Sequence, residues 1–145
     1  MKIGLIGLGY WGTILHSNLK NNIDDIAVYD SIQNIGHKDE IYSCDKVFVA
    51  TPTTSHFELV KDLLSRGIDV FCEKPLTPHK KECEVLYETA KKSKCKLFVD
   101  WIFTFNDAVN FIKRQYESRE YGGLRNVTMN RLNSGQERKD VFAKW

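Results

Sequence analysis

The strongest constraint in this chain is a glycine-spaced turn set between an apolar run and an amphipathic stretch. Lys2 to Ile6 reads as a strand and Gly7-Leu8-Gly9-Tyr10-Trp11-Gly12 follows at once. Trp11, Ile14, Leu15 and Leu19 then fall on one helical face. A G-x-G-x-x-G run by itself is common, but a strand before it and a helix after it give each glycine a job. Gly7 permits a tight turn, Gly9 lets the backbone approach a pyrophosphate, and Gly12 lets helix and strand pack closely. The N–H groups at the helix start, with its positive dipole end, suit phosphate. Asp30 stands eighteen residues past Gly12, at the end of a second short strand, Ile26 to Tyr29. A carboxylate at about that distance accepts hydrogen bonds from the adenosine ribose of a dinucleotide. It also repels a 2′-phosphate, and Ser31-Ile32-Gln33 supplies no arginine to bind one, so NAD is favoured over NADP.

The rest of the chain keeps alternating short apolar runs with amphipathic stretches, the pattern of a parallel sheet covered by helices. Val47 to Ala50 is a buried strand stopped by Thr51-Pro52. Ser55 with Glu58 reads as a capping box for the next helix, and Gly67 as the residue after its C-cap. Asp69 to Cys72 is a fourth strand, after which Thr77 and Pro78 read as the cap and first residue of a helix. Cys83, Leu86, Tyr87 and Ala90 form its inner face, and Leu97 to Phe103 is a fifth strand. Asn106 caps a helix whose apolar side is Ala108, Val109, Ile112 and Tyr116. Tyr121-Gly122-Gly123 is a turn, and Leu124 to Leu132 alternates as a half-buried strand does. From Asp30 to Asp45 there is room for a loop or a stub of helix at most. The expectation is an α/β, doubly wound parallel sheet over residues 1–103, followed over 104–145 by the beginning of a second, α+β domain.

Composition excludes several functions. The net charge of +2 is small, and Lys80, Lys81, Lys91, Lys92, Lys94 and Lys96 sit in and after one helix, as a solvated face rather than a nucleic-acid groove. Cys44, Cys72, Cys83 and Cys95 are too widely spaced for a zinc motif and read as free thiols, mostly buried. No run reaches the ~20 apolar residues of a membrane span, and no signal peptide precedes the first strand. A cytoplasmic protein without membrane or nucleic-acid partners is expected, with homo-oligomerisation left open.

Two further segments belong beside a bound cofactor, because ligands in this architecture sit at the carboxyl ends of the strands. Thr51-Pro52-Thr53-Thr54-Ser55-His56 follows the third strand and Glu73-Lys74-Pro75 the fourth. On spacing alone His56 reads equally as a solvent-facing residue of the helix's first turn, and Glu73 with Lys74 as a surface ion pair.

Together, Ala50-Thr51-Pro52 with His56 and Glu73-Lys74-Pro75-Leu76 resemble the glucose–fructose oxidoreductase and inositol 2-dehydrogenase family (Gfo/Idh/MocA). Val99 to Phe105, Tyr121-Gly122-Gly123-Leu124 and Arg131-Leu132-Asn133 are similar to the segments where that family enters its second domain. The resemblance implies a Rossmann domain that binds NAD or NADP, and hydride transfer at a carbinol carbon of a sugar, inositol or nucleotide-sugar. It implies that Lys74 lies by the nicotinamide and the reacting hydroxyl, where a cation stabilises the developing alkoxide. The cofactor contacts expected are Gly7, Gly9, Tyr10, Trp11, Gly12, Asp30, Thr51, Pro52, His56, Glu73 and Lys74, with no metal. Members are usually more than twice this length and place an aspartate and a histidine shortly past the position of Trp145. Arg138 to Trp145 looks like the approach to that site, so the chain alone is expected to be inactive. A non-catalytic dinucleotide-binding or sensing module is the competing class. A methyltransferase explains neither Glu73-Lys74-Pro75 nor Gly12.

Overall fold

A computed structural model describes residues 1–130 and divides the chain into two compact units, Met1–Ile102 and a second beginning at Phe103. In the first unit β1 (Ile3–Ile6), β2 (Ile26–Tyr29), β3 (Lys46–Val49), β4 (Asp69–Cys72) and β5 (Leu97–Val99) form one parallel sheet. They line up as β2-β1-β3-β4-β5, joined through α1 (Tyr10–Lys20), α2 (Lys38–Ile41), α3 (Thr53–Ser65) and α4 (Lys80–Ser93). This is the expected α/β sheet with its winding reversed at β1. A crevice therefore opens beyond the carboxyl ends of β1 and β3.

Register explains where the core sits. Gly4 pairs with Val47 and Val47 with Val70 across β1, β3 and β4, while Ile6, Val49, Cys72 and Val99 are paired across these three strands and β5. Ile41, Val60, Leu63, Leu64, Leu86 and Ala90 close over this face. Each aliphatic side chain so buried contributes about 1.5–3 kcal/mol. Gly4 is part of the fit, since a Cβ there would lie 3.0 Å from Val47 and 3.3 Å from Ile41. On the opposite face Phe48, Phe71 and Phe98 form a row, with ring centroids 4.7 and 5.2 Å apart.

Several element ends differ from the sequence pattern. α3 begins at Thr53 behind Pro52, so Ser55 is not its cap; the Ser55 hydroxyl instead donates at 2.8 Å inside the first turn, to the Pro52 carbonyl and Thr51 Oγ1. α4 begins at Lys80 behind His79, because the Thr77 hydroxyl donates to the His79 carbonyl at 2.9 Å and holds a separate turn ahead of the helix. Tyr87 is 51% exposed and so lies off the inner face that Leu86 and Ala90 occupy. The fifth strand stops at Val99, where the Trp101 N–H turns back to the Val99 carbonyl, and a 3₁₀ turn runs over Ile102–Phe105. Gly67 follows the Arg66 C-cap of α3 with φ +84°, as its position suggested. The short link after Asp30 is a turn and the one-turn helix α2.

In the second unit α5 (Asp107–Ser118) is capped by Asn106, whose side chain accepts the Val109 N–H at 3.1 Å. Its apolar side is exposed at Val109, Ile112 and Tyr116. The strand expected over Leu124 to Leu132 does not form through residue 130, where the chain has no regular secondary structure and is exposed. Its last two residues, like Arg131-Leu132-Asn133 and Arg138 to Trp145, lie outside the described residues. The four cysteines are free thiols. Burial, with the neighbouring Glu73 adding, pushes the Cys72 thiol up to about 12, so it is inert at neutral pH. Among the described residues no helix is long and apolar enough to cross a membrane.

Candidate functional site

The glycine loop is built from backbone packing. Gly7 has φ +96°, and a Cβ there would lie 2.6 Å from the Ala50 carbonyl oxygen. A Cβ on Gly12 would lie 2.0 Å from the Gly7 oxygen. These two glycines let β1, the loop and α1 close against the end of β3. Gly9 differs: it is the N-cap of α1, and a Cβ added to it meets nothing within 4 Å. Close packing of the fold does not account for Gly9; the open space above it does. The first turn of α1 holds no acidic residue and its cap makes no side-chain bond, which leaves its dipole end suited to an anion.

Asp30 braces that loop. It is 7% exposed; its Oδ2 accepts the Leu8 N–H at 2.7 Å, and its Oδ1 accepts those of Ile32 at 2.9 Å and Gln33 at 2.8 Å. Burial alone would push this carboxyl up, but the three N–H donors outweigh it and hold it below the ordinary aspartate range. A carboxylate has about four acceptor positions, so about one remains, on Oδ2, for a ribose hydroxyl. Gln33 Nε2 donates to the Leu8 carbonyl at 2.9 Å, so Leu8 is held at both its N–H and its C=O. Sequence reasoning assigned Asp30 to the ligand alone and missed this brace.

Between the glycine loop and the end of β3 lies a cleft of about 600 Å³, lined by Gly7, Gly9, Asp30, Ser31, Thr51 and Pro52 among others. Ser55, from the expected Thr51–His56 segment, lines it too, as do Lys38 and Glu58, which the sequence did not single out for this place. A lysine opening the stub after Asp30 was the available signal. Lys38 Nζ lies 3.7 Å from Asp62, which also accepts from Arg66 at 2.8 Å and from the Tyr42 hydroxyl at 2.6 Å.

The remaining expected residues stand outside the lining of this cleft. Tyr10 and Trp11 are exposed at the start of α1. His56 is 1% exposed, and its ring contacts only backbone oxygens: Nε2 to Thr51 at 2.8 Å, Nδ1 to Pro75 at 3.0 Å and to Leu76 at 3.2 Å. It lies behind the cleft wall rather than in the cleft, because the first turn of α3 aims it at the loop following β4. Glu73 is buried beside Trp11 and the Lys74 N–H, and its Oε1 has no hydrogen-bond partner. Burial first, and then the charge of Asp100, raises this carboxyl above the usual glutamate range. Lys74 itself is exposed, preceding a cis Pro75.

An open Gly9 above a braced loop and an acid-free helix start fit a phosphate-bearing ligand. Comparison with known proteins agrees. Residues 21–101 match the family described as the Gfo/Idh/MocA oxidoreductase family, NAD-binding Rossmann fold. The chain is 31% identical to a myo-inositol 2-dehydrogenase of Thermotoga maritima, over 84% of this chain and 42% of that protein. It is 26% identical to a 2,7-anhydro-N-acetylneuraminate hydratase of Escherichia coli, over the whole of this chain and 43% of that protein. A solved probable dehydrogenase from Thermotoga maritima superposes with a TM-score of 0.70 at 29% identity, covering 82% of this chain and 41% of its own. The chain thus spans about two fifths of the length of these relatives. Its fold, its glycine loop and the family match make it a member of the Gfo/Idh/MocA oxidoreductase family, carrying that family's NAD-binding Rossmann fold.

Proposed function

We propose that this chain holds the dinucleotide in an oxidoreductase that moves a hydride between NAD and a hydroxyl-bearing carbon of a sugar, inositol or nucleotide-sugar. Residues 1–103 hold the cofactor and residues 104–145 open the substrate-binding portion. The observation that supports this most directly is the open Gly9 at the N-cap of α1, above a loop that Asp30 and Gln33 pin from behind.

Within this reading Gly7, Gly9, Tyr10, Trp11 and Gly12 form the pyrophosphate turn, and Asp30 offers its remaining acceptor position to the adenosine ribose. Thr51 and Pro52 wall the cleft, and Glu73 and Lys74, outside its lining, are assigned to the nicotinamide. A bound nicotinamide supplies the hydride acceptor or donor. The Lys74 ammonium orients the substrate oxygen, stabilises negative charge on it as the carbon is oxidised, and assists the transfer of the hydroxyl proton. Asp30 favours NAD over NADP; Lys38, the cation lining the cleft, stands 3.7 Å from Asp62, a carboxylate it shares with Arg66.

The test is a titration with NADH and separately with NADPH, following tryptophan fluorescence in this chain and in a Trp11→Phe control. Saturable quenching, tighter for NADH and reduced in the control, is expected. No saturable response to either cofactor would remove the dinucleotide reading, and a preference for NADPH would remove the role given to Asp30.

A further inference from the structure

We infer that His56 is a positioning residue, a buried tie that joins the wall of the cleft to the loop carrying Glu73 and Lys74. On the wall side Nε2 meets the Thr51 carbonyl at 2.8 Å; on the other side Nδ1 meets the carbonyls of Pro75 and Leu76 at 3.0 and 3.2 Å. Carbonyl oxygens only accept, so a ring nitrogen is tied to its carbonyl through the N–H it carries, and which nitrogen carries it depends on the tautomer. With 1% of its surface exposed, His56 has no water to serve in place of either loop.

The two loops are otherwise joined mainly through strand ends. The Glu73 N–H donates to the Val49 carbonyl, below the loops. Above that level Thr51 is held by Ser55, whose hydroxyl reaches Thr51 Oγ1 at 2.8 Å. Pro75 has no N–H with which to anchor its own loop. The imidazole therefore spans the gap where the backbone ladder stops. Because His56 and Ser55 both come from the first turn of α3, that turn sets the Thr51 wall and the Lys74 loop together. The consequence for a bound cofactor rests on the dinucleotide reading above; the tie itself does not.

Two substitutions separate the two ends of the tie. Asparagine places an amide donor near the Nδ1 position and glutamine near the Nε2 position, so His56→Asn keeps the Pro75 side and His56→Gln keeps the Thr51 side. Amide hydrogen exchange in the full chain is read over residues 50–54 and 73–77, with residues 59–64 of α3 as the internal reference. His56→Asn is expected to speed exchange about tenfold in 50–54 more than in 73–77, and His56→Gln to do the reverse. His56→Leu speeds both, and His56→Asn weakens NADH binding more than His56→Gln does. Equal effects of the Asn and Gln variants on both segments, or none, would reduce His56 to a space-filling side chain and overturn the proposal. If the variants do not fold, the wild-type chain decides. A slowly exchanging imidazole N–H proton from His56 is expected in its spectrum, and its absence is equally fatal. Failure of NADH to bind the wild-type chain would instead strike the dinucleotide reading and leave the exchange results standing.

Discussion

Asp30 Oδ2 accepts the backbone N–H of Leu8 at 2.7 Å, across twenty-two residues of sequence, and so fastens the end of β2 to the glycine loop. Asp30→Asn puts an amide where two or more N–H donors already point, and one donor is then left facing another. The cost expected is about 1–3 kcal/mol of stability, with a comparable loss of NADH affinity. The pH dependence has a definite sign. The Asp30 carboxyl is held lower in the folded chain than in the unfolded one, so its contribution is present above about pH 4 and is lost as pH falls through the depressed folded value. Urea midpoints measured from pH 7 downward are therefore expected to fall more steeply in the wild type than in Asp30→Asn. Parallel curves would mean that the three N–H bonds carry no net stabilisation.

Gly9 and Gly12 separate binding from folding. Gly9→Ala adds a methyl group that meets nothing within 4 Å, at a residue with φ −63°, so stability should stay within about 0.5 kcal/mol. The same methyl occupies the space a pyrophosphate needs, and NADH affinity is expected to fall by about tenfold or more. Gly12→Ala drives a Cβ to 2.0 Å from the Gly7 oxygen, and neither backbone can yield without moving α1 off β1. A loss of about 3 kcal/mol or more is expected, visible as a lowered denaturation midpoint in the absence of any ligand. If Gly9→Ala bound NADH normally, the open space above Gly9 would not be the phosphate site.

The parallel sheet and its glycine loop were legible because they rest on local signals: apolar runs, glycine spacing and a carboxylate at a strand end. Gly67 and Asn106 were read correctly for the same reason, each acting within a few residues of its own position. The errors came where a longer contact outweighed a local pattern. Ser55 and Thr77 look like caps, but their hydroxyls are spent inside turns placed ahead of or within the helix start. His56 looked like a first-turn residue facing water or ligand. It is buried because carbonyls nineteen and twenty residues away accept its ring, which no periodicity shows. Asp30 was found by spacing, yet its bond to Leu8 depends on how β1 and β2 pair.

Lys74 is exposed, so removing its side chain should leave the fold within about 0.5 kcal/mol. NADH affinity should change little, because the proposed role of the ammonium is toward the substrate oxygen. In any form of the protein that turns over a sugar or inositol, Lys74→Ala is expected to lower kcat by about two orders of magnitude or more. A kcat retained in that variant would take Lys74 out of the chemistry while leaving the cofactor site intact.

Glu73 tests the opposite electrostatic case from Asp30. Its carboxyl is buried, its Oε1 lacks a donor, and burial together with the Asp100 charge raises it, against the weaker help of Trp11 and the Lys74 N–H. A carboxyl raised on folding favours the folded chain while protonated, so its advantage is lost as pH rises from the ordinary glutamate value, about 4.3, through the higher folded one. Glu73→Gln removes that ionisation while keeping the shape. The variant is expected to have a higher urea midpoint than the wild type at pH 8 and an equal one near pH 4. A variant less stable at pH 8 would show that the ionised carboxylate is better served by its neighbours than its unpartnered oxygen implies.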